Sequence, residues 1–502
     1  MRRAFDRELP PLELLVFVVG AASLGAEIAA ARLMAPFFGA STIVWANVIG
    51  VVLVSLSVGY WLGGRFADRH PHRRGLCMLV LVAALAVGAV PFVADPFLDI
   101  SVDALEDVQA GAFVGSLIAV SVLVGPPVML LGAVSPYAIR LAVKKVEEAG
   151  AVAGRIYAVS TVGSLAGAWL SALLLIPVLG TRRTFLTFAL ACAVVAVLGM
   201  PRRRAALVPA ALIVLLILPV GMIKAADGRK VLEEVETPYQ YARVVEDADG
   251  ARHLELNEGQ AVHSTYRPGS YLTGDYWDEF LLLPLAALPE PPARVALLGN
   301  AAGTTARAYG HFFPDTYVDG VEIDAELTEL GRRFFDLRNP RLEVFHEDAR
   351  PFLRRIDRRY DVIGVDVYRQ PYIPFYLTTR EFFQLVRDRL TEGGVVVVNV
   401  GHPEGQDELE KVLSATMADV FPTVVRNAVE DTNTMVMGTA GSVSPDRLES
   451  SLADLPAELR GPGRRTAARI GPRLSGGSVY TDDKAPVEWL VDQSIVDYAA
   501  GE

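Results

Sequence analysis

Hydrophobicity divides this 502-residue chain into two unlike halves. Up to about residue 225 it is a succession of apolar runs joined by short loops, whereas from Asp227 onward charge, turn residues and short strand-like stretches dominate. A helix needs roughly 20 largely apolar residues to cross a hydrocarbon core of about 30 Å. About seven segments of the first half qualify, near Leu12–Leu33, Ile43–Leu62, Leu76–Phe97, Phe113–Leu131, Tyr157–Leu179, Phe185–Met200 and Ala205–Ile223. The first run has no small-residue cleavage site and reads as a retained anchor rather than a signal peptide.

Basic residues cluster at Arg2, Arg3 and Arg7, from Arg65 to Arg74, from Arg140 to Lys145 and from Arg202 to Arg204, while Asp95 to Asp107 is acidic. That asymmetry predicts a multi-pass cell-membrane protein with a cytoplasmic N terminus. Seven crossings would then deliver the second half outside, so a cytoplasmic second half requires one segment to be re-entrant or miscounted, and Arg182 with Arg183 hints where. Glu27 and Arg32 lie in the first span, where ionisable groups pair with a neighbour or line a path. Gly20, Gly25, Gly163 and Gly167 are spaced for close helix packing. The stretch Gly63–Arg69 resembles a loop of major-facilitator transporters, although seven spans are too few for that fold.

The net charge of −11 argues against nucleic acid, which demands a basic face. Cys77 and Cys192 both sit in apolar runs, which leaves no disulfide framework and no cysteine metal site. His253, His263, His311, His346 and His402 show no ligand spacing, so no metal is expected.

In the second half, alternation at Ala242–Glu246 and His253–Leu256 about a turn at Asp247–Gly250 predicts a small β cap. From Arg294 the pattern becomes strands alternating with helices: Val295–Leu298, Tyr317–Glu322, Leu342–Phe345, Val362–Asp366 and Val395–Val400. That order predicts an α/β Rossmann-like, largely parallel sheet of class I methyltransferase type, with ligands at the carboxyl ends of its strands. The expected organisation is a transmembrane domain at 1–226, a β-rich cap at 227–290, a Rossmann-like catalytic domain at 291–441 and a loop-rich extension at 442–502.

The strand ends carry the informative residues. Gly299 and Gly303 flank a tight turn that lets backbone approach a ligand. Glu322, at the second strand end, suits ribose hydroxyls. Asp348 stands where a carboxylate receives an adenine amino group, and equally where it caps a helix. Asp366 ends an apolar fourth strand and is the expected catalytic residue. Trp277 and Tyr276 are expected mainly as core.

Together the glycine turn, Glu322, Asp348 and Asp366 resemble the spermidine synthase (polyamine aminopropyltransferase) family. Thr273–Asp278, Asp366–Phe375, Leu377–Phe382, Tyr157–Gly163 and Thr481–Pro486 are similar to its membrane-fused, multi-span branch. The resemblance implies transfer of an aminopropyl group from decarboxylated S-adenosylmethionine to putrescine or a related amine. It implies Asp366 as proton acceptor, donor-binding roles for Gly299, Gly303, Glu322 and Asp348, and substrate-binding roles for Tyr239, Gln260 and Tyr368. The partners it implies are a small-molecule amine and the lipid bilayer, with room for a homodimer, and it implies a cytoplasmic catalytic domain. Two positions depart from the family: Ala302 replaces an aspartate that holds the donor's ammonium, and Arg369 and Gln370 stand where a second aspartate follows the catalytic one. An S-adenosylmethionine-dependent methyltransferase and a non-catalytic polyamine transporter or sensor are the alternatives.

Overall fold

Apolar runs with small residues at helical spacing satisfy their own backbone as helices, and the described apolar runs of the first half of the chain do so. The computed structural model describes all residues except 1–10, 39–41, 107–111, 201–202, 218–228, 238, 258–260, 369–371 and 501–502. Arg2, Arg3, Arg7, Arg202, Gln260, Arg369 and Gln370 therefore lie outside the described residues. The chain divides into two compact units, Met1–Lys224 and Ala225–Glu502.

The first unit contains α1 (Leu12–Phe38), α2 (Thr42–Arg69), α3 (Arg73–Glu106), α4 (Ala112–Leu123), α5 (Gly125–Gly132), α6 (Val134–Ala142), α7 (Ala149–Leu170), α8 (Ile176–Leu179), α9 (Thr181–Leu198) and α10 (Leu207–Ile217). Among the described residues five helices are long and apolar enough to cross a membrane, and a bent pair, Val114–Leu123 with Gly125–Ala142, makes a sixth if counted as one span. The expected straight span Phe113–Leu131 is thus broken, by 48°. Pro126 and Pro127 follow Gly125 there, and they remove backbone donors and disfavour helix in the residue before them. The expected seventh segment contains an 11-residue helix, α10, among the described residues.

Glycine decides the closest helix contact. A Cβ on Gly163 would stand 2.2 Å from the Phe17 carbonyl oxygen, and one on Gly167 would stand 2.0 Å from that of Ala21. The Ser164 and Ser171 hydroxyls donate to the Gly20 and Gly25 carbonyls at 3.1 Å, tying α7 and the π-helical turn Ser171–Leu175 to α1.

In the second unit β1 (Lys230–Glu236), β2 (Tyr241–Glu246), β3 (Arg252–Leu256) and β4 (Ala261–Tyr266) form an antiparallel sheet in sequence order. An eight-stranded sheet follows, built from β5 (Arg294–Leu298), β6 (Tyr317–Val321), β7 (Leu342–Phe345), β8 (Tyr360–Val365), β9 (Leu390–Gly401), β10 (Thr423–Glu430), β11 (Asn433–Thr439) and β12 (Ile470–Pro472). Its order is β12-β10-β11-β9-β8-β5-β6-β7. The pairs from β7 to β9 are parallel, and those from β9 to β12 antiparallel. The strand order reverses between β5 and β8, which is where a doubly wound sheet opens a ligand crevice.

The helices of this unit are α11 (Glu279–Leu282), α12 (Thr304–Phe312), α13 (Ala325–Phe334), α14 (Ala349–Arg355), α15 (Arg380–Asp388), α16 (Glu408–Ala418), α17 (Pro445–Ser451), α18 (Ala457–Arg469) and α19 (Val487–Ala500). The last three correct the expectation of a loop-rich extension at 442–502. Leu448, Leu452, Leu455 and Leu459 recur at helical spacing and are buried in one cluster with Val395, Val397, Met435 and Met437. Their period outweighs the turn-rich composition around them, and β12 extends the sheet at its edge.

Replacing Gly167 with Val is expected to destabilise the full-length protein by about 1–3 kcal/mol, because the added branch must force α1 and α7 apart. Thermal unfolding in detergent measures this; an unchanged midpoint would contradict the close contact.

Candidate active site

The cleft begins at a backbone contact. Gly299, directly after β5, adopts φ +86°, and a Cβ there would lie 2.0 Å from the carbonyl oxygen of Asp366, directly after β8. Only glycine brings the two strand ends so close. The turn is then pinned from three sides. Gly299 and Asn300 N–H donate to the Val321 carbonyl, Ala301 N–H donates to the Glu322 carboxylate at 2.8 Å, and Ala302 N–H donates to the Ser264 hydroxyl of β4 at 3.0 Å. The cap sheet thus builds part of the site wall.

A cleft opens over these strand ends, lined among others by Tyr239, Gly299, Glu322, Asp348, Asp366 and Tyr368. Gly303 is not among the lining residues of this cleft: at φ +88° it precedes α12 and makes room for the Leu337 side chain.

Each acidic residue is held differently. Glu322 accepts from Ala301 and Asp324 N–H at 2.8 and 3.0 Å, which leaves each oxygen a further lone pair for a ligand hydroxyl. Burial pushes its carboxyl up to about 7 against the lowering effect of those N–H groups. Asp348 caps α14 by accepting from Arg350 N–H at 2.9 Å and accepts the Tyr376 hydroxyl at 2.6 Å. It therefore both caps a helix and lines the cleft. Arg350 in turn pairs in two-pronged fashion with Asp482, at 2.9 and 2.5 Å, and donates to the Tyr376 carbonyl. The Thr481–Pro486 motif so braces the wall that carries Tyr376.

Asp366 is the most constrained. Asn399, on β9, donates to one carboxylate oxygen at 2.9 Å, and the Tyr276 hydroxyl donates to the other at 3.2 Å. Asn433 orients Asn399 through a 2.9 Å hydrogen bond. Burial raises the Asp366 carboxyl to about 6, with Asn399 and Tyr276 pulling the other way. Burial and the Asp366 charge raise the Tyr276 phenol well above its usual range, so it stays a donor. Asp278 holds the turn that delivers Tyr276 by accepting from Thr273 and Gly274 N–H at 3.0 and 2.9 Å.

Tyr276, expected mainly as core with the acceptor-pocket wall as the alternative, meets Asp366 instead, and the sequence marks neither Asn399 nor Asn433 as a site residue. The single usable signal was an asparagine inside the apolar run Val395–Val400. The Tyr368 hydroxyl is bonded to the backbone of Gly401 and Asn399, so its ring rather than its hydroxyl faces the cleft as lining. Tyr239 is largely exposed at the rim. Among the described residues no group of three or more His, Cys, Asp and Glu side chains is placed to hold a metal ion.

A doubly wound sheet with acidic side chains ringing a crevice at its switch point is a Rossmann-like domain of class I methyltransferase type. Residues 283–449 match the family model of the spermine/spermidine synthase domain. It is 32% identical over 290 residues to the probable polyamine aminopropyl transferase of Bifidobacterium longum, covering 53% of this chain and 64% of that one, a little under two thirds of the relative's length. Against polyamine aminopropyltransferase 1 of Streptomyces coelicolor it is 26% identical over 427 residues, 78% of this chain and 76% of the other. The solved structure of a probable spermidine synthase from Corynebacterium glutamicum overlaps 51% of this chain and 98% of its own at 23% identity, with a TM-score of 0.38.

Gly299→Ala is expected to destabilise the protein by about 1–3 kcal/mol, since the methyl group must displace the Asp366 backbone and sit at a left-handed φ. Thermal unfolding in detergent reads this, and an unchanged midpoint would refute the close approach.

Proposed function

We propose that the chain is a membrane-anchored aminopropyltransferase that moves an aminopropyl group from decarboxylated S-adenosylmethionine to putrescine or a related amine. The observation that carries the reading is the Asp366 carboxylate, fixed on both oxygens by Asn399 and Tyr276 at the point where β5 and β8 diverge. The names of the relatives support the same chemistry. The residues fit such a donor: the Gly299 turn admits it closely, Glu322 offers lone pairs to a ribose, and Asp348 stands on the wall beyond.

The reaction requires an amine lone pair, yet an alkylamine has a pKa near 10 and is mostly protonated at neutral pH. In this reading Asp366 accepts the amine proton, the nitrogen forms a bond to the carbon beside sulfonium, and the carbon–sulfur bond breaks with its electrons passing to sulfur. The products are the aminopropylated amine and methylthioadenosine. A carboxylate raised to about 6 is a stronger base than an exposed one while still ionised at neutral pH. Tyr276 and Asn399 fix its direction by hydrogen bonding rather than by charge.

The helical unit would serve as the anchor. Counting the bent pair as one span gives six candidate crossings among the described residues, and an even number would return the chain to the side of its N terminus, in keeping with a cytoplasmic supply of the donor. A reporter fused after Glu502 is expected to read cytoplasmic; an external signal would oppose this topology.

With full-length protein in detergent, putrescine and decarboxylated S-adenosylmethionine, methylthioadenosine and spermidine are expected. Asp366→Asn should lower kcat by roughly 10²–10⁴-fold, the span ordinarily attributed to a general base, while donor binding persists. Wild-type activity should fall as pH drops through about 6, where Asp366 gains its proton and loses its capacity to accept another. Equal turnover by Asp366→Asn, or S-adenosylhomocysteine as the product with S-adenosylmethionine, would overturn the assignment.

A further inference from the structure

Arg307, one turn into α12, is a buried cation that the proposed reaction does not use. It is 8% exposed, forms no ion pair among the described residues, and donates from Nη1 to the Ser270 carbonyl at 3.0 Å. Its Nε atom is enclosed and has no hydrogen-bond partner. A buried cation without a counter-ion is costly unless something else stabilises its charge. Here aromatic faces do so: the Cζ atom stands 4.8 Å from the ring centre of Tyr266 and 4.0 Å from that of Tyr271. Arg252 also lies over Tyr266, at 5.5 Å, and His311 lies parallel to Tyr271 with ring centres 3.8 Å apart. Arg307 does not line the cleft, so any effect on the reaction passes through the residues it holds.

Those residues are the two shoulders of one turn. Tyr266 ends β4, the Ser270 N–H donates to the Arg267 carbonyl across Gly269 at φ +77°, and Tyr271 leaves the turn. The chain then runs into Thr273, whose N–H and hydroxyl donate to Asp278, and so to Tyr276, whose hydroxyl donates to Asp366 at 3.2 Å. The helix that carries Arg307 starts directly after the Gly299 turn, and Ser264 and Thr265 of β4 bond to Ala302 and Thr304 there. The clamp on Tyr266, Ser270 and Tyr271 therefore fixes the separation between the glycine turn that approaches Asp366 and the segment that brings Tyr276 to it.

We propose that Arg307 is a positioning residue that, by gripping Tyr266, Ser270 and Tyr271, sets where the Tyr276 hydroxyl meets Asp366. The assignment rests on the reading of Asp366 as proton acceptor and deepens it. Its consequence is a property of the carboxylate. The bond from Tyr276 favours the charged form of Asp366, so losing it raises that carboxyl further above its present value of about 6. Activity is then lost on acidification at a higher pH. Asn399 on β9 bonds to Asp366, and His263 on β4 and Tyr368 after β8 line the cleft with it, as do Glu322, Glu347, Asp348, Tyr239 and Tyr376. Glu430 of β10 accepts from the Tyr276 N–H. Among the described residues no hydrogen bond, ion pair or ring contact joins Arg307 to any of these groups, which leaves the Tyr276 segment as its route to Asp366.

The test is the pH profile of kcat for the full-length protein in detergent, saturated with decarboxylated S-adenosylmethionine and putrescine. In Arg307→Met and in Tyr271→Leu the acidic limb is expected to move up by about one pH unit, the size expected when a carboxylate loses one hydrogen bond to its charged form. Tyr271→Leu keeps the Arg307 charge, so a shift in that variant reports position and not the loss of a cation. Tyr276→Phe should show the same shift, and Arg307→Met combined with Tyr276→Phe no further one, because both changes remove a single contact. Thermal unfolding identifies a variant that does not fold, and Tyr271→Leu carries the test if Arg307→Met is one. A folded Arg307→Met or Tyr271→Leu whose limb stays at the wild-type pH, or an Arg307→Met shift that adds to that of Tyr276→Phe, overturns the clamp and leaves the reaction assignment standing. A wild-type protein without an acidic limb, or Asp366→Asn with full turnover, overturns the proton-acceptor reading and the clamp with it.

Discussion

The contact between Gly299 and the Asp366 carbonyl sets the geometry of the cleft in the second unit. Because the glycine has no side chain, the ends of β5 and β8 stay within backbone reach at the point where the strand order reverses. The glycine turn, the Glu322 carboxylate that ties to it and the Asp366 carboxylate then converge on one cleft rather than on separate loops. A side chain at position 299 would push the glycine turn away from the Asp366 backbone.

Rigidity around Asp366 comes from neutral hydrogen bonds in sequence, from Asn433 to Asn399 to Asp366, with Tyr276 closing the other side. Neutral donors suit this position. A guanidinium or ammonium beside the carboxylate would stabilise its charge and weaken it as a base, whereas amide and phenol groups orient it while burial still raises its proton affinity. A second brace runs from Asp482 through Arg350 to Tyr376 and Asp348, so residues near the C terminus stiffen the opposite wall. Surface ion pairs contribute little, but Arg350 is 8% exposed and two-pronged, which is the geometry in which such a pair fixes a position.

In the helical unit the organising device is the absence of side chains. Gly163 and Gly167 let α7 lie against the backbone of α1, and serine hydroxyls on the same face donate to the carbonyls this exposes. Between helices with apolar surroundings, van der Waals closeness and such hydrogen bonds replace the hydrophobic effect as the cause of association.

Much of this was legible in the chain. Apolar runs of spanning length, the alternation of strands and helices after Arg294, and carboxylates at successive strand ends follow from local period and spacing, which any twenty-residue window displays. The four glycines of the helix contact were legible for the same reason. Other features depended on residues distant in sequence meeting in space. Tyr276 reads as core until β8 places Asp366 against its hydroxyl, and Asn399 is one polar residue in an apolar strand until Asn433 and Asp366 come to either side. Gly303 shares a motif with Gly299, yet Leu337 fills the space above it. The leucines of α17 and α18 were hidden by the turn-forming residues around them, and the sheet gave their period a surface to bury against. The sequence by itself determined two units, a doubly wound sheet and a ring of carboxylates, because those are properties of neighbours along the chain. Which carboxylate is fixed on both oxygens, and that the Asn300 amide and His263 Nε2 stand unpaired near it, was decided by tertiary structure alone, because hydrogen-bond satisfaction is a property of neighbours in space.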